Sequence, residues 1–293
     1  MDKKIFDNNM KLLKYWSDYL NENPKYITKD LVDSILNDVK IDGKLSSLDV
    51  VKIILNELTD NPSDKEFFYE YLSLSIHELK TKDYLDNKYI QRFKVLEGKK
   101  DNIEIKYLEY APYEMFVFDE TKIIDDKQIP SIGYFKEPFK YLTILENNNP
   151  WMLITPNEIN TMIEPIKHAF GNVLTFGLGL GYFAYMTHLK NDVKSITIIE
   201  KDEHVIEIFK SLILPLFDHP EKINIINMDA YEFKEEEYKN YDYLFIDIHH
   251  DVSDGVLHYL YFKDLGIDKL IKCEFWIEKS IKLYLDNEKI INN

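Results

Sequence analysis

The residues best suited to chemistry lie in the second half of the chain. Val173-Leu174-Thr175-Phe176-Gly177-Leu178-Gly179-Leu180-Gly181 is a short apolar run that opens into three alternate glycines. Glycines let a ligand lie against bare backbone, and a helix that starts after Gly181 presents free amides and the positive end of its dipole. A nucleoside-type ligand fits such a turn, although a ligand-free strand-to-helix turn can be written the same way. Three carboxylates follow in order. Glu200 stands about 20 residues beyond Gly181, where an acid can accept both hydroxyls of a ribose. Asp229-Ala230 comes next, where a carboxylate can accept from an adenine amino group, and Asp247 ends Leu244-Phe245-Ile246-Asp247. Each acid alone reads first as a helix cap or a solvated loop residue. In this order behind the glycines, they read together as one pocket.

These residues need a scaffold that brings strand ends together. Residues 155 to 265 alternate between short apolar strands and helices. The expected strands are Val173 to Phe176, Ser195 to Ile199, Lys222 to Asn227 and Tyr243 to Ile246. The expected helices are Gly181 to Leu189, Asp202 to Leu214, a short acidic one near Tyr231 to Glu237, and one around Gly255 to Lys263. Such alternation implies a mostly parallel, Rossmann-like α/β sheet with helices on both faces and right-handed crossovers. All three acids then sit at the carboxyl ends of strands, facing the crevice where such sheets bind ligands. Thr155-Pro156-Asn157-Glu158 reads as a capping box opening the helix before the first strand. After Lys263 only one more strand is legible, near Cys273 to Ile277, before a helix over Glu278 to Leu285, so the sheet is expected to be cut short at its C-terminal end.

Upstream, residues 1–100 read as helical. Leu12, Leu13, Trp16 and Leu20 share a helical face, Asp30 to Val39 repeats the pattern, and Ser47 to Leu58 carries a serine cap. Asn61-Pro62-Ser63-Asp64 opens a further helix with Phe67, Phe68, Tyr71, Leu72, Leu74 and Leu79 as its apolar positions. After the turn at Glu97 to Asp101 the period becomes that of strands, and residues 101–154 read as a small antiparallel sheet. Three regions are therefore expected: 1–100 helical, 101–154 β-rich and 155–293 binding the cofactor. The first two would cover the crevice and select the acceptor, with Tyr134, Phe135 and Trp151 as candidate lining.

Composition narrows the partners. The chain has 293 residues, 45% of them hydrophobic and 14% aromatic, which excludes a disordered or fibrous protein. Its formal net charge is −16, which disfavours nucleic acid, because phosphate binding rests on clustered cations. Arg92 is the single arginine, so bidentate guanidinium clamps are nearly unavailable. With Cys273 as the single cysteine, an intrachain disulfide and a cysteine-based zinc site are both out. The charged start Met1-Asp2-Lys3-Lys4 and the lack of a long apolar run lead to the expectation of a cytoplasmic protein with no membrane partner.

On Gly177, Gly179, Gly181, Glu200, Asp229-Ala230 and Asp247, the chain resembles the class I S-adenosylmethionine-dependent methyltransferase superfamily over about residues 155 to 265. The resemblance implies S-adenosyl-L-methionine as cofactor and methyl transfer to a small-molecule acceptor. The glycine loop would hold the amino-acid moiety, Glu200 the ribose, and Asp229 with the Ala230 amide the adenine, while Asp247 would border the reacting methyl group. The β-rich segment before the loop is similar to the polyamine (spermidine) synthase branch, which transfers an aminopropyl group from the decarboxylated cofactor. Two departures count against that branch: Leu180 stands where it carries an acid between the second and third glycines, and Asp247-Ile248-His249-His250-Asp251 replaces its Asp-Ser-Ser/Thr-Asp-Pro. Two further readings compete. Gly179-Leu180-Gly181-Tyr182-Phe183-Ala184 fits a dinucleotide-binding dehydrogenase, in which Gly177 and Asp229-Ala230 would have no role. The truncated sheet also suits a non-catalytic, cofactor-binding regulator.

Asp247 to Asp251 holds the remaining chemistry. Two imidazoles between two carboxylates can shuttle protons near neutral pH, and a carboxylate partner would raise a histidine's pKa. His249 or His250 is expected as the base. The same residues could hold a divalent metal, but a further oxygen ligand is missing and no metal is assigned. Asp251 is alternatively the cap of the next helix.

Overall fold

The computed structural model describes residues 3–38, 45–59, 65–100 and 102–291. In chain order its first half runs α1 (Lys3–Glu22), α2 (Lys29–Asp38), α3 (Ser47–Glu57), α4 (Lys65–Ser75), β1 (Ile76–Leu79), α5 (Thr81–Leu85), α6 (Lys88–Phe93), β2 (Gly98–Lys100), β3 (Ile103–Tyr110), β4 (Phe116–Ile124), β5 (Lys127–Phe135), β6 (Phe139–Glu146) and β7 (Asn149–Leu153). There follow α7 (Pro156–Thr161), α8 (Ile163–His168), β8 (Gly171–Phe176), α9 (Tyr182–His188), β9 (Val193–Glu200), α10 (Glu203–Ile208), β10 (Ile223–Asn227), β11 (Tyr243–Ile246), α11 (Val252–Asp264), β12 (Lys272–Phe275) and α12 (Glu278–Ile291). The chain makes two units that interleave in sequence. One comprises Met1–Leu85 and Leu108–Tyr141, the other Asp86–Tyr107 and Leu142–Asn293. The three consecutive regions expected from sequence therefore do not coincide with the spatial units. Residues 86–107 and 142–154 belong with the later part of the chain.

In the first unit, helical faces pack on a small sheet. Leu12, Trp16 and Tyr19 of α1 are buried with Val50, Val51 and Leu55 of α3. Ser46 caps α3 through a capping box with Asp49, which fixes its start. The expected helix through Leu79 stops at Ser75, and β1 pairs in parallel with β5, Ile76 opposite Ile132. β5 lies between β1 and β4 and is buried along almost its whole length, so pairing with it overrides the helical spacing. Tyr134 and Phe135 are fully buried in this strand, Tyr134 within this unit's core, so neither lines a crevice as expected. The expected helix start at Asn61 to Asp64 lies outside the described residues, as do Asp101 and Met1-Asp2. In place of one small antiparallel sheet over 101–154 there are two: β1-β5-β4, and a four-stranded sheet β2-β3-β6-β7.

The second unit is built on a five-stranded parallel sheet in the order β10-β9-β8-β11-β12. The fold class is thus the expected α/β one. All four residues of β11 are buried, and because successive side chains point to opposite faces, both faces are covered. One strand, β12, follows α11, pairing Leu244 with Cys273; the sheet is as short at that end as the sequence predicts. The long helix expected over Asp202 to Leu214 is instead α10, a π turn over Phe209–Ile213 and a 3-10 turn over Leu214–Leu216. The π turn sets Phe209 directly against Gly181, where an added Cβ would come within 2.3 Å of the ring.

Candidate functional site

The carboxyl ends of β8, β9 and β11, with the loop after β10, surround a cavity of about 380 Å³. It is lined by Gly177 to Leu180, Glu200, Asp229-Ala230, Asp247, His249 and His250. Apart from Gly181, which packs on Phe209, the predicted site residues thus all meet at one place. The wall also holds residues that sequence reasoning missed: Met152 on β7, Glu158 on α7, Lys201, Met228, His258 on α11, and Trp276. Of the three aromatic candidates, Trp151 alone lines it.

Gly177 and Gly179 play different parts. Gly177 has φ +94°, and a Cβ there would lie 1.8 Å from the carbonyl oxygen of Asp247. The close approach locks the ends of β8 and β11 together, with the Asp247 amide donating to the Phe176 carbonyl at 2.9 Å. Gly179 has φ +53°, and a Cβ there would meet only the Met152 sulfur at 3.6 Å. Its missing side chain leaves open space in the cavity, as a cradle for a ligand requires.

Glu200 holds this loop in place. Its carboxylate accepts from the Leu178 amide at 3.1 Å and from the Asp202 amide at 2.8 Å. Burial raises its pKa, and these backbone bonds oppose the rise. Each carboxylate oxygen keeps a second lone pair, which a ribose hydroxyl can use. Asp229 accepts from the Tyr231 amide at 3.0 Å and so shapes the turn that presents Ala230. Leu180 is held from behind: its carbonyl accepts from the Tyr89 hydroxyl of α6 at 2.6 Å.

Glu158 and Asp247 stand apart. The expected capping box is not formed, because Thr155 makes no side-chain cap and Glu158 lines the cavity instead. Among the described residues, neither the Glu158 nor the Asp247 carboxylate has a hydrogen-bonding or ion-pair partner. Burial, reinforced by Asp247, raises the Glu158 pKa well above the carboxylate range. Burial, reinforced by Glu200, raises that of Asp247 to about 7. The cavity therefore presents two unpartnered acids that burial biases toward the neutral form.

His249 does not behave as expected. His249 is buried against Trp276, its Nε2 is 3.2 Å from the Trp276 carbonyl, and burial lowers its pKa to about 4. It is a neutral hydrogen-bonding group rather than a base poised near neutrality. Both nitrogens of His250 are engaged: Nδ1 lies 3.1 Å from Asp254, and Nε2 accepts from the Trp151 indole at 3.2 Å. Asp251 caps α11 in a capping box with Asp254.

The lining offers several groups that could hold a small ligand. The volume lies within the range of small-ligand pockets. Gly179 leaves backbone bare, Glu200 and Asp229 suit ribose and adenine, and the unpartnered acids suit a cationic centre. No family model matches the sequence, and no curated protein matches it. Among solved structures, the spermidine synthase of Thermotoga maritima is similar at a TM-score of 0.34 and 14% identity, over 67% of this chain and 63% of that one. This chain thus spans less than two thirds of that relative. A spermidine synthase in complex with the transition-state analogue AdoDATO aligns at a TM-score of 0.28 and 16% identity, over 53% of this chain and 47% of the other.

Proposed function

We propose that the chain is a transferase that binds a sulfonium nucleoside and passes an alkyl group from it to a small amine. Glu158 and Asp247 carry this reading, because their unpartnered carboxylates share the cavity with the glycine loop. The charged side chains of the lining are Glu158, Glu200, Asp229 and Asp247 against Lys201 alone. That balance suits a donor with a sulfonium and an ammonium and no carboxylate, which is decarboxylated S-adenosylmethionine, and it points to aminopropyl transfer. Displacement at the carbon next to sulfur needs mainly alignment and removal of a proton from the attacking amine. Asp247, titrating near neutrality, is suited to take that proton.

Methyl transfer from S-adenosyl-L-methionine is the second reading. Leu180 in the glycine loop and Ile248-His249-His250 after Asp247 favour it, since aminopropyl transferases carry acids and serines there. Incubation with the decarboxylated donor and a short aliphatic diamine should release methylthioadenosine and give a product heavier by one aminopropyl group. Release of adenosylhomocysteine from S-adenosylmethionine and an amine, with the decarboxylated donor inert, would establish methyl transfer instead.

A further inference from the structure

Behind the glycine loop lies a second, smaller cavity of about 30 Å³. Glu158, Asp247, Thr175 and Tyr182 wall it, together with the loop itself. It has room for one or two waters, and it is polar enough to hold them. Glu158 and Asp247 therefore face ligand space on one side and a water-sized space on the other.

The groups around the pair offer it no countercharge. Tyr89 on α6 and Tyr182 on α9 both feel the charge of Glu158, and burial keeps both phenols neutral. Glu200 adds a further negative charge beside Asp247 from the end of β9. On the far wall, burial lowers the pKa of His258 on α11 as it does that of His249, so both favour the neutral form. His250 is held between Asp254 and Trp151, and Asp229 and Lys201 line the large cavity. Two desolvated carboxylates in one wall, with Lys201 lining only the large cavity and no cation lining the rear one, cannot both stay ionised cheaply.

We propose that Glu158 and Asp247 hold one proton between them in the free protein, bridged by water in the rear cavity, and that the cationic end of a sulfonium nucleoside expels it. The inference rests on the sulfonium reading of the site. The balance is simple: the pair goes from one negative charge to two, the proton passes to buffer, and no covalent bond of the ligand changes. Glu158 is then a positioning residue that keeps the shared proton while Asp247 ionises, and the pair makes affinity for the cation rise with pH.

Calorimetric titration of the full chain in two buffers of different ionisation enthalpy tests this. With decarboxylated S-adenosylmethionine, binding should release close to one proton at about pH 8, where Asp247 is ionised and Glu158 keeps the shared proton, and more at about pH 6, where Asp247 is largely protonated as well. Methylthioadenosine, the neutral thioether of the same nucleoside, should release none at either pH. Glu158→Gln should bind the cation more weakly and lose most of the release at about pH 8, because Asp247 alone is already ionised there. Cation binding without buffer dependence in the wild-type chain would overturn the inference, and so would undiminished release from Glu158→Gln. Binding of methylthioadenosine but not of the cation would overturn it while leaving a nucleoside site. Failure of both ligands to bind would contradict the sulfonium reading itself, and the inference with it.

Discussion

Gly177 and Gly179 are two residues apart in one loop, yet substitution should separate their roles. A Cβ at Gly177 meets backbone at 1.8 Å, so Gly177→Ala should destabilise the fold by more than about 3 kcal/mol, seen as a large drop in melting temperature. Gly179→Ala meets no atom closer than 3.6 Å. It should cost only about 1–2 kcal/mol of backbone strain, while weakening ligand affinity at least tenfold in calorimetry. Asp247 gives a prediction of opposite sign. Its folded pKa, about 7, lies above that of an unfolded aspartate. Between about pH 4 and pH 7 the folded state therefore binds more protons than the unfolded state, and stability falls as pH rises through that window. Asp247→Asn should remove the loss, raising stability at pH 8 by up to about 4 kcal/mol and hardly at all at pH 4, as read from melting curves at the two pH values. A site residue whose replacement stabilises the fold is held there for function. Glycines and strand-end acids were legible because their types and order follow the sheet. Glu158 was not, since Thr-Pro-Asn-Glu is a sound capping box and nothing local reveals that its glutamate turns inward. His249 misled for a related reason: its burial depends on Trp276, remote in sequence, and on Gly255 across the turn into α11.

At the scale of elements, the α/β alternation was legible because continuous apolar strands and capped helices repeat without interruption. The origin of the supports was not. α6 precedes the sheet by some eighty residues, yet it packs Tyr89 and Phe93 on Tyr185 of α9 and reaches the glycine loop. Tyr89→Phe would leave the buried Leu180 carbonyl without its donor. It should cost about 1–3 kcal/mol in thermal unfolding and lower ligand affinity as the loop loosens. A chain truncated before Thr155 would lack α6, β7 and Met152, and it should fail to give a cooperative unfolding transition. β1 was missed because a four-residue strand beside β5 is a tertiary event. Its residues continue a helical pattern as readily as they pair.

For the whole molecule, a net charge of −16 sets up a field that attracts cations. No helix among the described residues is long and apolar enough to cross a membrane. Part of that acidity lies in the cavity, where Glu158, Glu200, Asp229 and Asp247 meet Lys201 alone. The measurement that tests the central claim most directly is the affinity order of three nucleosides for the intact chain at about pH 8. Decarboxylated S-adenosylmethionine should bind at one site per chain, at least tenfold more tightly than S-adenosylmethionine, whose carboxylate faces the acids. Methylthioadenosine, with no positive charge, should also bind more weakly than the decarboxylated donor. Equal or tighter binding of S-adenosylmethionine, or no binding of either sulfonium, would contradict the assignment of the acid pair as the seat of the cation.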